Sequence, residues 1–119
     1  MGAEGVAAGV GRPRVATGAG VVEGRTGADG ISVFLGIPYA APPVGTLRLA
    51  PPAPAAAWDG VREAAAFGPT APKVPYPPTF AALLPDPVIP GDDFLNVNVW
   101  TPEPAPGAGL PVSVWIHGG

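Results

Sequence analysis

From Thr17 onward the chain alternates short apolar runs with breaks rich in Gly and Pro. Thr17 to Glu23 is short and β-branched, and Ile31 to Ile37 places Ile31, Val33 and Leu35 on one face against Phe34 on the other. Between them lies a Gly-rich stretch with Asp29-Gly30, a hairpin turn signal, so the pattern predicts a small antiparallel hairpin. Gly36 to Pro54 is dense in Pro and Ala and predicts extended or polyproline backbone without donors to a ladder. Trp58 to Phe67 is ambiguous. Ala64 to Ala66 favour a helix by propensity, whereas Val61 after Asp59-Gly60 favours a strand, and the short strand is the preferred reading.

Pro69 to Pro90 holds eight prolines, so a long loop is expected, with at most one helical turn at Phe80 to Leu84. Phe94 to Trp100 then sets Leu95, Val97 and Val99 against Asn96, Asn98 and Trp100, a period of two that predicts a strand. Leu110 to Ile116 is almost wholly apolar between Gly and Pro breaks. Such a run predicts a strand covered on both faces, as in the interior of an α/β sheet. Little else in the chain could cover it. The pattern therefore predicts the β-rich opening part of a longer α/β domain, running from residue 15 to 119 behind a flexible tail at 1–14.

Composition narrows the function classes. The 119 residues include 18 Gly, 19 Pro and no Cys, with a 47% hydrophobic share and a net charge of −3. Six basic residues without a cluster make nucleic acid and anionic membrane surfaces poor partners. The missing Cys excludes disulfides, thiolate metal sites and a Cys nucleophile. No apolar run reaches the length of a membrane span. The N-terminus has Glu4 and no basic region before an apolar stretch, so it fails as a signal peptide, which favours the cytoplasm and leaves secretion open. The only serines are Ser32 and Ser113 and the only histidine is His117. Ser113 and His117, four apart on one strand, lie roughly 12 Å or more from each other, out of reach as nucleophile and base. Metal-ligand spacing is also lacking, and no cofactor is implied.

Four blocks, in order, resemble the type-B carboxylesterases, the family of para-nitrobenzyl esterases and cholinesterases. They are FLGIPYAAPPVGTLRL from Phe34, WDGVREAAAFGP from Trp58, GDDFLNVNVWTP from Gly91 and LPVSVWIHGG from Leu110. The third resembles the family signature E-D-C-L-Y-L-N-V-W-T-P, and the fourth the strand leading to the H-G-G-G oxyanion loop. The resemblance covers residues 15 to 119. It implies an α/β-hydrolase fold and hydrolysis of small-molecule carboxylic esters through an acyl-enzyme, with a Ser-Glu/Asp-His triad whose Ser lies in G-x-S-x-G. No member of that triad has a position here, so the chain alone is expected to be inactive and to need the later part of the same fold. The family's non-catalytic adhesion relatives are the alternative implication.

Residue by residue, the resemblance makes Gly119 an oxyanion N–H donor, with His117 and Gly118 shaping the loop. Glycine fits there because a side chain would crowd the substrate and because the backbone must turn sharply. It also implies an ion pair between Arg48 and Asp92, with Asp one methylene shorter than the usual Glu. Tyr76, Phe80, Leu83 and Leu84 fall on the loop that lines or covers the family's substrate entrance. The family often carries a disulfide across that loop, at positions where Phe94 and a residue near Ala71 stand here. The loop is therefore expected to be held by packing and proline stiffness alone.

Overall fold

The computed structural model describes residues 11–118. Six short strands form two three-stranded sheets: β1 Arg14–Ala16, β2 Val21–Glu23 and β5 Val61–Glu63 in the order β1-β2-β5, and β3 Arg25–Thr26, β4 Ser32–Pro38 and β6 Asn96–Thr101 in the order β3-β4-β6. All pairings are antiparallel except β2 with β5, which is parallel. The single helical turn α1 spans Pro78–Ala81, and a 3-10 turn spans Gly45–Leu47.

The expected hairpin is present with a different partner. Val21–Glu23 does not return onto Ile31–Ile37. It pairs with β1 across a turn in which Thr17 N donates to Gly20 O at 2.9 Å and the Thr17 hydroxyl bridges the same bend. The partner of β4 is β3, inside the stretch read as turn. The Asp29-Gly30 signal is honoured there: Gly30 takes φ +79°, and Asp29 Oδ1 accepts from Ile31 N at 3.0 Å. Gly24 separates β2 from β3. A Cβ on it would meet Val33 O at 2.4 Å, so the chain changes sheets where only glycine fits.

Residues 11–14, assigned to a flexible tail, belong to the fold. Gly11 bridges Thr26, and Arg14 opens β1. Their arginines explain why: Arg14 Nε lies 2.6 Å from Glu23 Oε2, and Arg12 Nη2 lies 2.8 Å from Glu23 Oε1. Glu23 is nearly buried, so its carboxylate needs both partners. The hydrogen bond from Arg14, aided by the charges of Arg12 and Arg14, outweighs desolvation and holds its pKa below the ordinary glutamate value. The rest of the expected tail, residues 1–10, lies outside the described residues.

The two sheets meet at Val22, Phe34 and Ala64, with Val15, Ile37 and Trp58 packed around them. Backbone bonds tie the layers: Ala64 N donates to Glu23 O at 2.8 Å and Leu35 N to Ala64 O at 2.9 Å. Val61 is therefore the start of a strand, as the Asp59-Gly60 turn suggested, and Ala64 is core and not helix.

The polar face of β6 is structural. Between Phe34 and Ile37 the ladder of β4 with β6 shifts register, and at this bulge Gly36 takes φ +67°. Its N–H is satisfied by Asn98 Oδ1 at 2.9 Å. Asn96 Nδ2 donates to Pro69 O at 3.0 Å and to Asp93 O at 3.1 Å, pinning the start of the long loop. Val97 and Val99 on the other face are exposed. The expected alternation is present, and in this chain its Asn side makes the hydrogen bonds.

Leu110–Ile116, expected as a strand buried on both faces, is neither paired nor buried among the described residues. Val112, Val114, Trp115 and Ile116 are 76–88% exposed. An extended segment becomes a strand only when another backbone takes its N–H and C=O groups.

Candidate active site

The chemistry expected at the end of the chain begins with how β6 stops. The Thr101 hydroxyl accepts from Glu103 N at 3.2 Å and donates to Glu103 O, turning the backbone out of the ladder just before Pro102 can break it. Gly107 and Gly109 take φ +79° and +65°, and residues 110–118 after them form neither helix nor strand. Pro111 removes one donor from the segment that follows.

At the far end, His117 Nδ1 lies 2.7 Å from Gly118 O. A carbonyl oxygen only accepts, so the hydrogen belongs to Nδ1, and in the neutral ring Nε2 is left as an acceptor facing outward. His117 is exposed. No atom lies within 4 Å of the place a Cβ on Gly118 would occupy, so nothing in the described residues demands glycine there. Gly119 lies outside the described residues. No hydrogen bond joins Ser113 to His117 among them, as their spacing required. Ser32 is buried in β4, with its hydroxyl 3.0 Å from Thr26 Oγ1, and is spent on structure.

The four residues expected along a substrate entrance, Tyr76, Phe80, Leu83 and Leu84, cluster on and beside α1 at the tip of the long loop, and all are exposed. With His117 and Gly118 they make up the six described residues expected at the site. None of the six lines the apolar cleft of about 290 Å³ between the sheets, whose walls include Val15, Val22, Phe34, Ile37 and Val99. Among the described residues no cluster of His, Cys, Asp and Glu could hold a metal, and no helix is long and apolar enough to cross a membrane.

The ion pair expected between Arg48 and Asp92 is not made. Both side chains are exposed, and no ion pair among the described residues includes either. The neighbouring carboxylate is used instead: Asp93 Oδ2 lies 3.5 Å from Arg62 Nη2, while Arg62 stacks 5.3 Å from the Trp58 ring centre. Trp58 is itself anchored through Nε1–H to Val21 O at 2.9 Å, which aims Arg62 at the loop carrying the two aspartates. The indole and guanidinium form a cation–π contact that pattern reading missed; Trp58 and Arg62 four apart across a turn were its only trace.

The long loop is also held by more than packing. Thr70 N donates to Ile89 O at 2.9 Å, and Ile89 N donates to Thr70 Oγ1 at 3.1 Å. Lys73 forms an ion pair with Asp86 and donates from Nζ to Pro87 O at 2.9 Å.

The described residues thus comprise a small two-sheet β layer, a long loop with an exposed apolar tip, and an unpaired apolar segment that runs to His117 and Gly118. A family model described as the carboxylesterase family matches residues 11–119, and the chain belongs to that family. It is 49% identical over 94 residues to a phenmedipham hydrolase of Pseudarthrobacter oxydans, covering 76% of this chain and 18% of that protein. It is 41% identical over 107 residues to the para-nitrobenzyl esterase of Bacillus subtilis, covering 88% and 21%. A solved para-nitrobenzyl esterase structure superposes with a TM-score of 0.75 at 40% identity, over 92% of this chain and 22% of that one. The chain thus spans about a fifth of the length of these relatives.

Proposed function

We propose that this chain is the opening segment of a serine carboxylesterase with an α/β-hydrolase fold, acting on a small carboxylic ester through an acyl-enzyme. The observation that carries the reading is the family match running from residue 11 to the terminal His-Gly-Gly at about 40% identity to para-nitrobenzyl esterase. In that reading the Gly119 N–H, with a second donor supplied later, faces the oxyanion of the tetrahedral intermediate. In the same reading His117 and Gly118 shape the loop, and the contact of His117 Nδ1 with Gly118 O supports that role. A preorganised donor acts where charge develops, and its loss slows chemistry far more than binding. Tyr76, Phe80, Leu83 and Leu84 form part of the substrate entrance. Nucleophile, acid and base come from the part of the fold beyond residue 119.

The test is expression of the whole reading frame, with the hydrolysis of para-nitrophenyl acetate and labelling by a serine-directed phosphonate as readouts. Turnover with labelling of one serine is expected, and Gly119→Pro, which deletes the donor, should lower kcat roughly 100- to 1,000-fold with little change in KM. A folded full-length protein with neither turnover nor labelling would instead be a non-catalytic relative.

A further inference from the structure

Lys73 and Asp86 are the only charged residues from Pro69 to Pro90, and they meet. Pro72, Pro75, Pro85 and Pro87 flank them, and proline has no N–H, so the two limbs of the loop cannot zip together through a backbone ladder. Side chains take over at the neck. The Lys73 ammonium supplies the donor that the Pro87 carbonyl would otherwise lack, at 2.9 Å, and neutralises Asp86 beside it. Nearer the sheet, Thr70 and Ile89 form a second rung through one backbone and two hydroxyl contacts. Beyond the neck, the hydrogen bonds of the tip are local, running from Pro77 to Leu84. The tip also carries the exposed Val74, Tyr76, Phe80, Leu83 and Leu84.

We propose that residues 70–89 form a loop closed at its neck by an electrostatic clasp, so that the charges on Lys73 and Asp86, and the salt that screens them, set how often the neck opens. A covalent closure would be indifferent to salt. A partly exposed ion pair is not, because mobile ions compete for both charges. The prolines make the device effective. They deny backbone donors at four positions of the limbs, so the closure rests on few contacts and losing the ion pair weighs on the whole neck.

Hydrogen exchange on the protein expressed from the whole reading frame tests this. The Thr70 and Ile89 amides report the inner rung, and the Leu35 and Ala64 amides report the sheets. Raising salt from about 10 mM to about 1 M shortens the screening length from roughly 30 to 3 Å and should cut protection at Thr70 and Ile89 about two- to five-fold. Leu35 and Ala64 should not follow. Asp86→Asn keeps the bond from Lys73 to Pro87 and removes the charge; it should show the lowered protection already at low salt and lose the salt dependence. Lys73→Arg should retain both protection and salt dependence. Salt-indifferent Thr70 and Ile89 amides, or amides that change in step with Leu35 and Ala64, would overturn the proposal. If Asp86→Asn does not fold, the salt series on the unsubstituted chain decides.

Discussion

Val21 to Phe34 and Leu110 to Ile116 both carry apolar, strand-forming residues, and they have opposite fates. In the first, Val22 and Phe34 are at most 3% exposed, because β1 and β5 flank β2, β3 and β6 flank β4, and the two layers pack on each other. In the second, Trp115 is 88% exposed with no strand beside it. Apolar pattern measures the capacity to be buried. Burial itself requires a partner, and within the described residues only the first stretch has one.

Breaking the buried side should have the largest effect. Phe34→Ala removes the main contact between the sheets and should cost about 3–5 kcal/mol, read as a fall in the urea midpoint; for so small a core this amounts to loss of the folded state. Next comes the bulge that holds β4 against β6. Gly36→Ala forces a side chain into φ +67° and to 2.9 Å from Gly68 N, and should destabilise by roughly 1–3 kcal/mol. Asn98→Ala, which strips the Gly36 N–H of its acceptor, should cost about 1–3 kcal/mol by the same measurement.

Glu23 sharpens the comparison through pH. Its folded-state pKa is lowered by Arg14 and Arg12, so its contribution is fully present above the unfolded value of about 4.3. That contribution declines as pH falls below this value and is gone once pH has passed through the lower folded value. Glu23→Gln should flatten this acid limb of the stability profile. At the other extreme, Trp115→Ala and Ile116→Ala in the 119-residue chain should shift the urea midpoint by no more than about 0.5 kcal/mol, since each removes a side chain that touches almost nothing. In the full-length esterase proposed above, the same substitutions should approach the cost at Phe34. A small effect there would mean that the segment is not a core strand.

Much of this was written locally. The turn at Asp29-Gly30, the strand at Asn96–Thr101, the single helical turn near Phe80 and the strand entering at Val61 follow from period, proline placement and the glycine freedom of a few bends, all of which act over a handful of residues. The family was written locally too, because the His-Gly-Gly end and the GDDFLNVNVW block preserve residue types at fixed spacing.

Pairing was decided only in three dimensions. Val21–Glu23 had the composition to join Ile31–Ile37, yet Gly24 lets the chain cross between layers, so β2 pairs with β1 and β5 instead. Asp92 and Asp93 are chemically alike, and which one meets an arginine depended on Trp58 presenting Arg62 to the second. The alternation of Asn96 and Asn98 with valines did not say which face is used, and the bulge at Gly36 decided it by leaving an N–H for Asn98 to satisfy. In each case the local pattern sets what a residue is able to do. The choice among partners is a long-range one, because hydrogen bonds and ion pairs go to whichever group the folded backbone brings within reach at the least cost in strain and desolvation.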